Sequence, residues 1–218
     1  MTVEYAPTAA TTPTRKRDRM NYDADAVHAI LDEVCTGHIS FIAHGLPQVL
    51  PISYGRSGSR LFVHGSTGSH LALAVRAAGA EGLPVSFAVT HTDRLVFSRS
   101  QMNHSADYRS VIAHGRLCRV HGEAAQREGF SAIIDHMVPG RSADCRAPDR
   151  KELAMTALFV LELDQVAARA RTHGLSEQER DVDLPHWAGV VPLSVRAGTP
   201  QSEQAVPDYL ARWLADRP

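Results

Sequence analysis

Between His38 and Gly65 the chain carries three short runs rich in β-branched and aromatic residues, with turn residues between them at intervals too close for a helix. They are HISFIAH (38–44), QVLPISY (48–54) and RLFVHG (60–65), joined by the turn GLP and by a Gly/Ser turn at 55–59. Such spacing reads as a β-meander. Further strand-like runs follow: LPVSFAVTHT (83–92) and RLVFSRS (94–100), joined tightly through Thr92 and Asp93, then Tyr108 to Val120, ALFVLELD (157–164) and WAGVVPLSV (187–195). Helical spacing is confined to three places. Asp23 is a good N-cap for Val27, Ile30, Leu31 and Val34. A short helix is expected around Leu71 to Ala78, and Phe130, Ile133, Ile134, Met137 and Val138 form an amphipathic face stopped by Pro139 and Gly140. Six or seven mainly hairpin-linked strands with two or three helices argue for a small antiparallel barrel with helical decoration. A doubly wound parallel sheet would need a regular alternation of helix and strand, which the chain lacks.

With 218 residues, 44% of them hydrophobic, the chain is long enough for one domain with a real core. Order is expected from residue 20 to about 200. Residues 1–19, which end in the basic run Arg15 to Arg19, read as a disordered tail, and 201–218 as a C-terminal segment. The net charge of −1 gives no global attraction to nucleic acid or anionic lipid. No apolar run approaches 18 residues, so no membrane partner is expected and the reading is a cytoplasmic protein. Cys35, Cys118 and Cys145 are widely spaced, with no CxxC, and suggest neither a disulfide framework nor a zinc cluster.

Two segments carry candidate chemistry. In His64-Gly65-Ser66-Thr67-Gly68-Ser69-His70, two glycines allow close backbone approach, three hydroxyls can donate, and a helix start follows. That combination suits a phosphate, or simply a capped Ser/Gly turn. In Asn103-His104-Ser105-Ala106-Asp107-Tyr108-Arg109-Ser110-Val111 a polar cluster runs into a strand holding one Arg, the residue suited to bidentate phosphate recognition. The alternative there is a turn with an Asp107–Arg109 ion pair. Twelve histidines show no zinc-ligand spacing, so no metal site is expected. His64 and His104 stand out because they lie in these two segments.

Taken together, AILDEVCTGHISFI, VLPISYGRSGSRLFVHGSTGS, HSADYRSVIAHG, HMVPGR, KELAMTALFVLELD and WAGVVPL, in that order, resemble the pyridoxamine 5′-phosphate oxidase-like family of FMN-binding split barrels. Within it the segments resemble the flavin-nucleotide-binding and nitroimidazole-resistance-type branch. The resemblance implies a six-stranded Greek-key split barrel and a homodimer with FMN at the subunit interface. It implies that Pro51, Ile52, Ser53 and Tyr54 run along the isoalloxazine, and that His64, Gly65, Ser66 and Ser69 form the phosphate loop. Tyr108, Arg109, Ser110 and Val111 would complete the pocket, with Trp187 and Gly189 approaching the partner's flavin. The chain departs from the family's vitamin-producing oxidases in having Ser69 and His70 where those carry phosphate-binding cations. True pyridoxamine phosphate oxidation is therefore not expected.

The function implied is an FMN-dependent oxidoreductase that takes electrons from a reduced nicotinamide, NAD(P)H, and reduces a small organic acceptor, with His104 as a candidate proton donor. The alternatives are a non-enzymatic flavin carrier, or a split barrel holding a deazaflavin or haem in place of FMN.

Overall fold

The structure, a computed structural model, describes residues 3–216. Nine strands make one antiparallel sheet: β1 (Met20–Asn21), β2 (Thr36–Ala43), β3 (Leu46–Ser57), β4 (Arg60–Ser66), β5 (Leu83–Phe97), β6 (Ser105–Arg119), β7 (Thr156–Glu162), β8 (Gln165–Arg171) and β9 (Gly189–Pro192). Their order is β1-β8-β6-β7-β4-β3-β2-β5-β9, and β5 also pairs with β6. The pairing β5–β6 therefore closes a ring of six strands, β2 to β7, with β8, β1 and β9 attached outside it. The expected six-stranded split barrel is this ring. β6 splits its partners, taking β8 along Tyr108–His114 and β7 only at Leu117–Arg119.

Five α-helices decorate the ring: α1 (Ala24–Asp32), α2 (His70–Ala78), α3 (Glu123–Met137), α4 (Arg150–Met155) and α5 (Asp208–Ala215). Alternation along the strands fills the interior with Ile39, Phe41, Tyr54, Phe87, Val111 and Phe159, packed on α1 and α2. A smaller cluster of Phe62, Val120, Ile133 and Leu158 lies under α3. Helix and sheet approach closely there, since a Cβ on Gly55 would stand 2.4 Å from the carbonyl oxygen of Ala132. As expected, the Asp23 carboxylate caps α1, accepting from Ala26 N–H at 2.8 Å. At the other end of α1, two side chains from the barrel take up carbonyls that the helix leaves unpaired, and one from α3 takes up a carbonyl just beyond it. His91 donates to Ile30 at 3.0 Å, Tyr54 to Leu31 at 2.5 Å, and His136 to Val34 at 2.8 Å.

Several local readings change. Thr92 and Asp93 do not turn the chain. β5 runs straight through them, and its register to β6 shifts between Thr92 and Arg94, leaving Asp93 as an extra, bulged residue. The first hairpin turns at His44–Gly45, one residue earlier than GLP, and Pro47 lies within β3 opposite Ile42. β8, with the Ala-rich sequence QVAARAR, has weak strand propensity and is held by pairing with β6. The basic stretch includes a short 3₁₀ turn, Arg17–Arg19. Ahead of it the segment read as a tail lies on the barrel: Tyr5 N–H donates to the Tyr22 carbonyl, Tyr22 Oη donates to the Thr11 carbonyl, and Tyr5 Oη meets His28 Nε2 at 2.8 Å. Two tyrosines supply the anchors that composition alone did not reveal.

Candidate functional site

The loop after β4 is built around its hydroxyls. Ser66 Oγ accepts from Gly68 N–H at 3.3 Å, and Ser69 Oγ caps α2 by accepting from Ala72 N–H at 3.2 Å. The first-turn N–H groups of α2 have no intrahelical acceptor, so they point a partial positive charge out of the helix start. Gly65 and Gly68 have negative φ, and a Cβ on either would make only ordinary contacts, with Ser69 and Ser66 respectively. Packing within the chain therefore does not demand glycine here, whereas close approach of a ligand to the backbone does. Beside the loop, His64 is half-buried against Phe130, with ring centres 5.9 Å apart, and its Nδ1 is buried without a partner. Burial pushes its pKa below the ordinary imidazole value. A cradle of glycines with an orphan polar atom beside it fits a phosphate-bearing cofactor.

The neighbouring strand segment is continuous with this loop, because β3 pairs with β4 at Tyr54–Val63. Ile52 and Tyr54 face the core while Pro51 and Ser53 face outward. The buried Tyr54 phenol, its pKa raised by burial, is committed to Leu31, so this strand offers a ligand its backbone and its outer face rather than that hydroxyl.

The third segment is elsewhere. Tyr108 to Val111 lie on β6, on the opposite side of the six-strand ring from β3. Val111 is a core residue and Ser110 Oγ donates to the Arg169 carbonyl at 3.3 Å. Arg109 is held by two carboxylates, donating from Nε and Nη2 to Asp93 and from Nη1 and Nη2 to Glu33. These bonds raise its pKa further and hold the Asp93 carboxyl below its usual range. The alternative Asp107–Arg109 pair does not form. Asp107 is instead buried against Arg171, Arg94 and the Gly174 N–H.

His104 and Trp187 come together through Phe97, the last residue of β5. The His104 ring stands edge-on to Phe97 with centres 5.8 Å apart, and Trp187 tilts against the same ring at 5.8 Å. Trp187 also folds over Gly189, where a Cβ would stand 2.8 Å from the indole. The indole is nevertheless 68% exposed. His104 Nδ1 donates to the Ser100 carbonyl at 3.0 Å.

One feature was missed in the sequence. Between the β2–β3 turn and α2 lies an open apolar groove of about 500 Å³ flanked by His44 and His70. Its two imidazoles sit on separate elements, so no local spacing marks them.

The family profile described as pyridoxamine 5′-phosphate oxidase matches residues 23–170, which span the ring from α1 to β8. The chain belongs to the pyridoxamine 5′-phosphate oxidase-like family. Among solved structures, this family member is similar to a flavocytochrome from Azotobacter vinelandii, at 28% identity and a TM-score of 0.85, over 95% of this chain and 98% of that one. It is also similar to an FAD and heme binding protein from Mycobacterium smegmatis, at 30% identity and a TM-score of 0.80, over 90% and 97% of the two chains. A 5-nitroimidazole antibiotic resistance protein from Bacteroides thetaiotaomicron shares the fold at 14% identity and a TM-score of 0.58, over 70% and 90%. No curated protein matches by sequence. No helix among the described residues is long and apolar enough to cross a membrane.

Proposed function

We propose that this chain is a flavin-binding redox protein of the flavocytochrome kind. The observation that carries the reading is its near-complete alignment, at 28% and 30% identity, with a flavocytochrome and with an FAD and heme binding protein. The flavin phosphate would sit on Gly65, Ser66, Ser69 and the first turn of α2, with the ring along the outer face of Pro51 to Tyr54. When bound, the flavin supplies the electron-transfer chemistry. The protein's part is to hold the phosphate with backbone N–H groups and hydroxyls and to shield the ring.

The name of the Mycobacterium smegmatis relative favours FAD over the FMN expected from the family resemblance. A reduced nicotinamide remains the proposed electron donor and a small organic molecule the proposed acceptor, with His104 as the proton donor. Because β3 and β6 face away from each other across one ring, a flavin touching both segments would need two protomers, as in the implied homodimer. The apolar side chains of Leu46 and Val49 are 62% and 67% exposed, which supports such an interface.

The test is the absorption spectrum of purified protein, followed by chromatography of the cofactor released on denaturation. Stoichiometric flavin supports the reading and its identity separates FAD from FMN. Protein that stays colourless after soaking with both overturns it. Sedimentation with and without flavin tests the dimer, and oxidation of NADH or NADPH the donor.

A further inference from the structure

We propose that the groove between the β2–β3 turn and α2 is a haem site in which His44 and His70 are the two axial ligands. The proposal rests on the flavocytochrome reading and assigns its second cofactor to particular residues.

The groove has the chemistry of a flat apolar ligand with a metal at its centre. Its walls are Ile42, Leu73, Leu83 and the alanine face of α2, and its polar side chains are the two imidazoles. At about 500 Å³ it is within the size range of cofactor pockets. Ile42 and Leu73 are left exposed in the chain alone, as a wall awaiting a cover would be.

The donor set points to haem rather than to a bare ion. Among the described residues no group of three or more His, Cys, Asp and Glu side chains could hold a metal. A bare divalent ion such as zinc takes three or four protein ligands. Two imidazoles suffice only for a metal that arrives with its equatorial positions filled, which is how haem iron is presented to its axial ligands.

The two rings stand with centres 5.8 Å apart and planes at 76°. Imidazoles on opposite sides of one iron, with metal–nitrogen bonds of about 2 Å, have centres about 6 Å apart. Both ligands stand on firm backbone. His70 is the first residue of α2, directly after the capping Ser69. His44 is in the left-handed region, φ 53°, at the first position of a two-residue hairpin turn closed by Ala43 and Leu46. Asn or Gly is the favoured residue at such a position, so a histidine there is a choice that the turn itself does not require.

The experiment titrates hemin into purified wild-type protein and into His44→Asn and His70→Gln. Asn preserves the turn and Gln the helix, and circular dichroism checks that both variants fold. Wild type is expected to give a low-spin, two-imidazole spectrum. Each variant should lose that signature and bind hemin at least tenfold more weakly, and added imidazole should restore the low-spin spectrum. Haem bound with a spectrum indifferent to both substitutions overturns this site while leaving the flavocytochrome reading standing. Wild-type protein that holds flavin but takes up no hemin overturns the haem site and the flavocytochrome reading together, and leaves flavin binding intact.

Discussion

Arg109 grips both oxygens of Asp93, with Nε 3.0 Å from Oδ2 and Nη2 2.8 Å from Oδ1. The acceptor is the bulged residue of β5, so the irregularity in the strand is what brings the carboxylate round to the guanidinium. Glu33, just beyond α1, takes the remaining donors. A ligand phosphate at Arg109 would have to compete with two carboxylates already in place.

Replacing Arg109 with Ala should therefore cost about 1–2 kcal/mol of stability, the sum expected for two partly exposed ion pairs. The effect has a pH signature. Asp93 is held below its usual value of 3.8, so its contribution is complete above that pH and is lost as pH falls through the lower folded-state value. Urea unfolding at pH 7 and pH 3 should show the variant losing less on acidification than wild type. An unchanged midpoint at pH 7, together with weaker flavin binding, would instead make Arg109 a ligand contact.

Burial depresses the pKa of His64 and of His136 below 6.5. The unfolded chain then binds more protons, so the stability these residues contribute is present above pH 6.5 and is lost as pH falls through their folded values. Unfolding free energy should decline between pH 7.5 and 5.5, and His136→Gln, which can still donate to Val34, should make the decline shallower. A wild-type stability that is flat over this range would contradict the expectation.

Ser69→Ala should lose about 1 kcal/mol from the missing cap of α2. Ser69→Asp restores the cap and sets a carboxylate where a phosphate is proposed to rest. Thermal stability close to wild type, with flavin affinity down tenfold or more, is the expected pairing. Undiminished flavin binding in the Asp variant would move the phosphate elsewhere.

Gly55→Ala should cost about 3 kcal/mol, since the new methyl meets main-chain atoms of Ala132 and Ile133 at 2.4–2.5 Å. Backbone cannot step aside as a flexible side chain can. Guanidine melts of purified variant measure it, and near-wild-type stability would mean that α3 shifts freely over β3.

All three thiols should react in denaturant without prior reduction, and the exposed Cys145 should react first in the native protein. Ellman titration before and after unfolding reads both.

The parts of this fold that sequence reveals are those whose cause is local. β2, β3 and β4 announce themselves by β-branched runs, α1 by its cap and spacing, and the Gly65–Ser69 loop by residues whose chemistry is unusual in a row. Alanine-rich β8 is a strand only because β6 lies beside it, and the anchoring of Tyr5 depends on His28, 23 residues away. The partners of Arg109 lie 16 and 76 positions from it, out of reach of any spacing argument. The groove beside His44 exists only once a turn and a helix from different hairpins are set side by side.

The bulge at Asp93 also dictates where the chain can change length. Before it the inward residues of β5 are odd-numbered, Val85, Phe87 and Val89, and after it the inward residue is even-numbered, Val96, as is the buried Ser98 just past the strand. Deleting that single residue would leave Arg94 directly after Thr92, opposite Asp107 as before, and keep Val96 inward, so the strand would become regular and the carboxylate held by Arg109 would be lost. Related chains can therefore lose a residue at this point, as at the 55–59 turn, whereas a one-residue change elsewhere in Leu83–Phe97 would turn half of the strand's apolar side chains to solvent.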